Sequence, residues 1–157
     1  MLLRIGLISD THGLLRPQAL AFLRHCDHIV HGGDITGPEV LDALAALAPI
    51  TAVRGNNDCG AWPGRLHETE VVAFGEVRLG VVHDLARPAV DWRAHGVQVV
   101  VSGHSHKPSI AERDGVLFVN PGSAGPRRFK LPVTVAELVI DGHAVTARIV
   151  PLDVDAL

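Results

Sequence analysis

Seven residues in this chain are competent metal ligands, and each closes or follows a short apolar run: Asp10 and His12, Asp34, Asn56, His83, and His104 and His106. The set holds two carboxylates, one amide and four imidazoles, with no thiolate. Oxygen and imidazole donors suit hard to borderline divalent ions, and donor type does not choose among them. Seven such donors exceed one tetrahedral zinc. They suit two five- or six-coordinate ions that share a bridging carboxylate. Two ions about 3.5–4 Å apart form the clamp used by phosphatases and nucleases for in-line displacement. The amide fits an anionic substrate, because its carbonyl oxygen donates without adding negative charge.

The positioning elements can be read in chain order. Ile5–Ser9 is predicted to be a buried strand, an apolar run between glycines that delivers Asp10 and His12 at its end. Pro17–Arg24 reads as a helix with proline in its first turn. His28–His31 is a strand ending in Gly32, Gly33 and Asp34. A second helix runs from Pro38 to about Ala48, where Pro49 stops it. Ile50–Arg54 is a strand ending in Gly55, Asn56, Asn57 and Asp58. Strand–helix–strand–helix–strand is the pattern of a parallel sheet, which binds ligands beyond the carboxyl ends of its strands.

Further along, Cys59–Glu70 reads as a loop, with Gly60, Pro63 and Gly64 as candidates to rim the site. Glu70–Phe74 and Val77–His83 form a hairpin about Gly75-Glu76. Val90–His95 is expected to be a short helix. Val97–Ser102 is a strand running into Gly103, His104, Ser105 and His106. Two more hairpins follow, Ser109–Arg113 with Val116–Asn120, and Val133–Ile140 with Ala144–Leu152. Between them, Asn120-Pro121-Gly122-Ser123 can order the ligand loops through turn hydrogen bonds.

Composition narrows the class. The 157 residues are 47% hydrophobic and 20% charged, so the chain is globular, and residues 1–157 are expected to be a single domain. A formal charge of −3 and 4% aromatics leave neither a basic footprint nor a stacking platform for nucleic acid. No window reaches the ~18 apolar residues of a membrane span, and Asp10 interrupts the N-terminal run too soon for a signal peptide. Two cysteines make no disulfide framework and fit a reducing compartment, here expected to be the cytoplasm.

In order, DTH, GGD, GNND, a histidine closing a strand, GHSH and a trailing NPGS resemble the signature of calcineurin-like metallophosphoesterases, and within them the compact YfcE-like phosphodiesterases. The likeness runs from Asp10 to about Ser123. It implies an α/β fold: a two-sheet β-sandwich flanked by helices in four layers, αββα, with the site at the strand C-termini. It implies one ion on Asp10, His12, Asp34 and His106 and another on Asp34, Asn56, His83 and His104, with Asp34 bridging. Manganese is the expected metal; iron, nickel, cobalt and zinc suit the same donors. A water bridging the ions, acidified to hydroxide, would then attack a small phosphodiester, with Asp34, Asn56 and Asn57 as the catalytic residues.

Two positions depart from the pattern. Asn57 stands where many larger relatives carry a histidine near the leaving group, and an amide cannot donate a proton as an acid. Asp84 stands where glycine is usual after the strand-closing histidine; it reads either as a turn residue or as a partner for a ligating histidine. Asp58 has the same two readings. Arg54 and Arg65 are within reach of an anionic substrate, although solvated arginines are the default. A retromer subunit resembles this fold and works as a protein-binding scaffold with an eroded metal site. All seven ligand positions are filled here, which favours the enzyme. A phosphomonoesterase or nucleotide hydrolase on the same chemistry remains an alternative.

Overall fold

The structure is a computed structural model that describes residues 2–59 and 66–155; Gly60, Pro63, Gly64 and Arg65, expected near the site, lie outside them. The elements in order are β1 (Leu2–Ile8), α1 (Pro17–Leu23), β2 (His28–His31), α2 (Pro38–Ala45), β3 (Ile50–Ala52) and β4 (Thr69–Phe74). They continue as β5 (Val77–Val82), β6 (Val99–Val101), β7 (Ser109–Arg113), β8 (Val116–Asn120), β9 (Thr134–Asp141) and β10 (Ala144–Pro151). Two mixed five-stranded sheets result, in the orders β10-β9-β1-β2-β3 and β4-β5-β6-β8-β7. In the first sheet β1, β2 and β3 are parallel, and in the second β5, β6 and β8 are parallel.

Strand periodicity sorts the side chains into layers. Ile5 and Leu7 of β1, Leu79 and Val81 of β5, Val99 and Val101 of β6, and Leu138 and Ile140 of β9 fill the space between the sheets. The alternate residue Ile8 faces outward and meets Leu23 of α1 and Val40 and Leu44 of α2. β1 is therefore covered on both faces, which is why it reads as a continuous apolar run. Gly6 has a packing reason: a Cβ there would strike Leu23 and come within 2.9 Å of Cys26 Sγ. No helix among the described residues is long and apolar enough to cross a membrane.

The outer face of the second sheet differs from expectation. Residues 92–96 form successive turns, not a helix, and Trp92, Val97 and Val100 close that face as a small core. The Asp91 carboxylate accepts from Ala94 N–H, and Gly96 takes a left-handed φ of 68°, so the segment reverses before a helix can propagate. The two-sheet sandwich is as the resemblance implies, but its fourth layer is made of turns. Smaller shifts have local causes. α2 ends at Ala45 because Pro49 excludes helical backbone just before it, and the last carbonyls are met by Leu47 and Ala48 N–H groups folding back onto Leu44 O.

Trp92 lies flat against β5 only because residue 80 lacks a side chain; a Cβ there would enter the indole ring. Gly80→Val should therefore destabilise the fold by about 1–3 kcal/mol through overpacking. Urea unfolding is expected to show a lower midpoint with an unchanged slope.

Candidate metal centre

The parallel strands of both sheets deliver their C-terminal loops to one seam. The β1–β2 ladder continues past the strand ends: Asp10 N–H donates to Gly33 O and His12 N–H to Asp34 O, each at 3.0 Å. On the other sheet Gly103 N–H donates to His83 O at 2.9 Å, joining the loop after β6 to the end of β5. The sheets meet at Asp10, whose Oδ2 accepts from Ser9 Oγ at 2.8 Å and from His104 N–H at 3.1 Å.

Five of the predicted ligands converge there. His106 Nε2 lies 3.5 Å, and His12 Nε2 and His83 Nε2 each 3.9 Å, from Asp10 Oδ1. His83 Nε2 is 3.3 Å and His12 Nε2 3.8 Å from Asp34 Oδ2, while the two Nε2 atoms of His12 and His106 are 3.3 Å apart. Asp10 belongs to both clusters able to hold an ion: one with His12 and His106, one with Asp34 and His83. His104 and Asn56 form a pair beside them, with Nδ1 and Oδ1 3.1 Å apart. The His104 ring stands edge-on to His83 with centroids 5.2 Å apart.

The donors fit metal ions. Asp10 Oδ1 and His83 Nε2 are buried with no hydrogen-bond partner among the described residues, and His106 Nδ1 shares that state. Leaving a buried polar atom unpaired is costly, and a cation at the convergence point removes that cost for the first two. His83 Nδ1 donates to Gly32 O at 2.7 Å, so in the neutral ring the Nε2 lone pair faces the carboxylates, the tautomer that a ligating imidazole needs.

Backbone conformation supports the same reading. Asp10, His12, Asp34, His104 and His106 all have positive φ, between 46° and 74°. Left-handed backbone costs a non-glycine residue about 1–3 kcal/mol and gathers at functional sites. Gly55 is needed nearby because a Cβ there would enter the Asp34 carboxylate.

Electrostatics follow from the burial. Burial pushes the Asp10 carboxyl above its ordinary value, against the pull of His83, the Ser9 hydroxyl and His106. Burial also opposes ionisation of Asp34, but His83 and two donors from Asn57 outweigh it and hold that carboxyl well below the usual range. Burial disfavours charge on His83, yet Asp34 and Asp10 lift its pKa above the ordinary imidazole value. His106 is pushed down, by burial first.

Several residues support the ligand candidates from behind. Asn57 donates from its main-chain N–H to Asp34 Oδ1 at 2.8 Å and from Nδ2 to Asp34 Oδ2 at 2.9 Å, so its amide clamps the carboxylate. Asp58 accepts from Asp34, Gly55 and Thr36 N–H groups at 2.8–3.0 Å and organises two ligand loops. His31 is fully buried beneath the site. Its Nδ1 accepts from Gly33 N–H, its Nε2–H donates to the Thr11 hydroxyl, and that hydroxyl donates to Ile35 O. Burial, with His83 nearby, pushes His31 down to about 3, so it is a neutral strut.

The Asn120–Ser123 turn acts as expected from its residues. Asn120 Nδ2 donates to Gly103 O and to Ser105 Oγ, and Ser123 Oγ donates to Asp10 O. Ser9 and Thr11 had no role assigned from sequence; only their place beside or within DTH marks them. Asp84 sits in a turn whose Ala86 N–H it accepts, with its other oxygen 3.8 Å from His104 Nε2.

Residues 3–143 match the calcineurin-like phosphoesterase superfamily domain. The chain is 37% identical over 161 residues to a probable metallophosphoesterase of Methanothermobacter thermautotrophicus, covering 93% of this chain and 91% of that protein. Among solved structures, vacuolar protein sorting 29 of Cryptosporidium parvum aligns with a TM-score of 0.83 at 22% identity, over 98% of this chain and 93% of that one. A structure titled as a novel archaeal phosphodiesterase aligns with a TM-score of 0.79 at 23% identity, over 95% and 99%. These two likenesses are of fold. The match across nearly the whole chain, together with the ordered ligand loops, makes this protein a member of the calcineurin-like phosphoesterase superfamily.

Proposed function

We propose that the protein is a phosphodiesterase with a binuclear metal centre, manganese being the first candidate ion, and that it works on a small diester in the cytoplasm. The observation that carries this reading is the convergence of Asp10, His12, Asp34, His83 and His106 with buried, unpartnered donor atoms. One ion would take Asp10, His12, Asp34 and His106; the other would take Asp34, Asn56, His83 and His104. Bound divalent ions supply a nucleophile from water near neutral pH and neutralise charge on the phosphoryl oxygens.

The chain's own residues do the positioning. Asn57 holds both oxygens of Asp34, and Gly32 O orients His83. Cavities of about 380 and 240 Å³ flank the Asp84–His104 pair, which lines both. Arg54 and Arg87 line the first, with Glu68; Leu85, Arg113 and Phe118 line the second. The larger cavity, which Asn56, His83 and His104 also line, gives room for a substituted phosphate beside the centre. A protein-binding scaffold of the same fold has no need to bury Asp10 Oδ1 without a hydrogen bond among three imidazoles.

Asp34→Asn is expected to lower kcat by several orders of magnitude while the fold persists, because asparagine tolerates the left-handed backbone at that site. Steady-state kinetics with circular dichroism would check this. Near-normal turnover in a folded, metal-loaded variant would remove Asp34 from the bridging role.

A second expectation concerns the leaving group. Asn57 is committed to Asp34, and His31 is locked in a neutral hydrogen-bonded state, so neither protonates a departing alkoxide. General-acid help is worth about 10²–10⁴-fold where it exists. Across a series of aryl and alkyl diesters, kcat should fall steeply with leaving-group pKa while chemistry is rate-limiting. A shallow dependence would reveal an acid that the present assignment lacks.

A further inference from the structure

His104 presents its two ring nitrogens to different neighbours. Nδ1 faces Asn56 Oδ1 at 3.1 Å, and Nε2 faces Asp84 Oδ2 at 3.8 Å. Two donors each about 2.1 Å from one ion and at right angles to one another are about 3 Å apart. The Asn56–His104 spacing therefore matches a pair of co-ligands. With Nδ1 turned to that ion, Nε2 must carry the ring proton, and it points at a carboxylate.

Asp84 is held by its own turn. Its Oδ1 accepts from Ala86 N–H at 3.0 Å, and its carbonyl accepts from Arg87 N–H at 3.1 Å within a two-residue bridge. The turn has already ordered the side chain, so the entropy that weakens most exposed ion pairs is largely removed. His104 is otherwise loosely held: its side chain is 47% exposed, against 5% for His83 and 4% for His106. Of the histidines brought to the seam, it most needs an external support.

We propose that Asp84 is a positioning residue that fixes the His104 ring, in a carboxylate–histidine–metal relay, and so sets the affinity of the ion shared by Asn56, His83, His104 and Asp34. This rests on the binuclear reading above. Asp84 would not bind the ion itself; it acts through the ring. Removing such a support from a metal-bound histidine commonly weakens metal binding by about 10–100-fold. The other ion, on Asp10, His12 and His106, has no contact with Asp84 and keeps its affinity.

Calorimetric titration of the metal-free chain with Mn²⁺ tests this without any assay of turnover. The wild type should show two sites. Asp84→Asn keeps an acceptor for Ala86 N–H, so the turn survives, but should weaken one site by about 10–100-fold and leave the other unchanged. Asp84→Glu should recover most of the loss, which a merely structural role for the turn would not predict. Two unaltered sites in Asp84→Asn, equal weakening of both, or no recovery in Asp84→Glu would overturn the role of Asp84. A wild type that saturates at one equivalent would overturn the binuclear reading, and the Asp84 assignment with it.

Discussion

The site depends on Asp10. Its N–H donates to Gly33 O, its carbonyl accepts from Ser123 Oγ, and its Oδ2 accepts from Ser9 Oγ and from His104 N–H. Four hydrogen bonds made by three polar groups of one residue tie together the loops after β1, β2, β6 and β8. Only Oδ1 is left over, and it lies within 4 Å of three imidazoles. The carboxylate is thus the fastener of the two sheets, with one oxygen left to act as the ligand proposed above. Burial makes it reluctant to ionise, and a cation at Oδ1 is what would reverse that.

Around Asp10 the support is of two kinds. Beneath it, Thr11, His31 and the Gly33 N–H form a buried chain of satisfied hydrogen bonds that carries no charge. Beside it, Asp58 collects three N–H groups and holds the β2 and β3 loops against each other, and Asn57 fixes the Asp34 carboxylate. Satisfied networks of this type rigidify their surroundings. They hold five of the proposed ligands in left-handed backbone that isolated peptides avoid. The donor geometry is built into the loops.

Much of this could be read in the sequence because strands buried on both faces are written as apolar runs, and the ligands follow those runs. The β1, β2 and β5 ends were visible for that reason. The segment Val90–His95 is not the expected helix: Trp92 is placed by the space above Gly80, and Gly96 turns the backbone left-handed. The supporting residues were harder to find. Ser9 and Thr11 are ordinary small polar residues, and their importance comes from partners far along the chain. Asp58 looked like a turn former and is one, but the turn it makes spans two loops. Arg87 and Glu68 gave no signal because a cavity wall has no period.

The separation in sequence of the centre's parts has a consequence for folding. Asp10 meets the His104 main chain across 94 residues and Ser123 across 113. Contacts of such range close large loops, so the site belongs to the last, most cooperative part of assembly and not to any local unit. Local fraying cannot open it without parting the two sheets. Any ion or anion that grips residues from both sheets therefore acts as a cross-link on the whole molecule. Ligand concentration then enters the unfolding equilibrium directly, adding about 2.7 kcal/mol at a hundredfold excess over Kd. For this chain, thermal stability and site occupancy are one measurement seen from two ends.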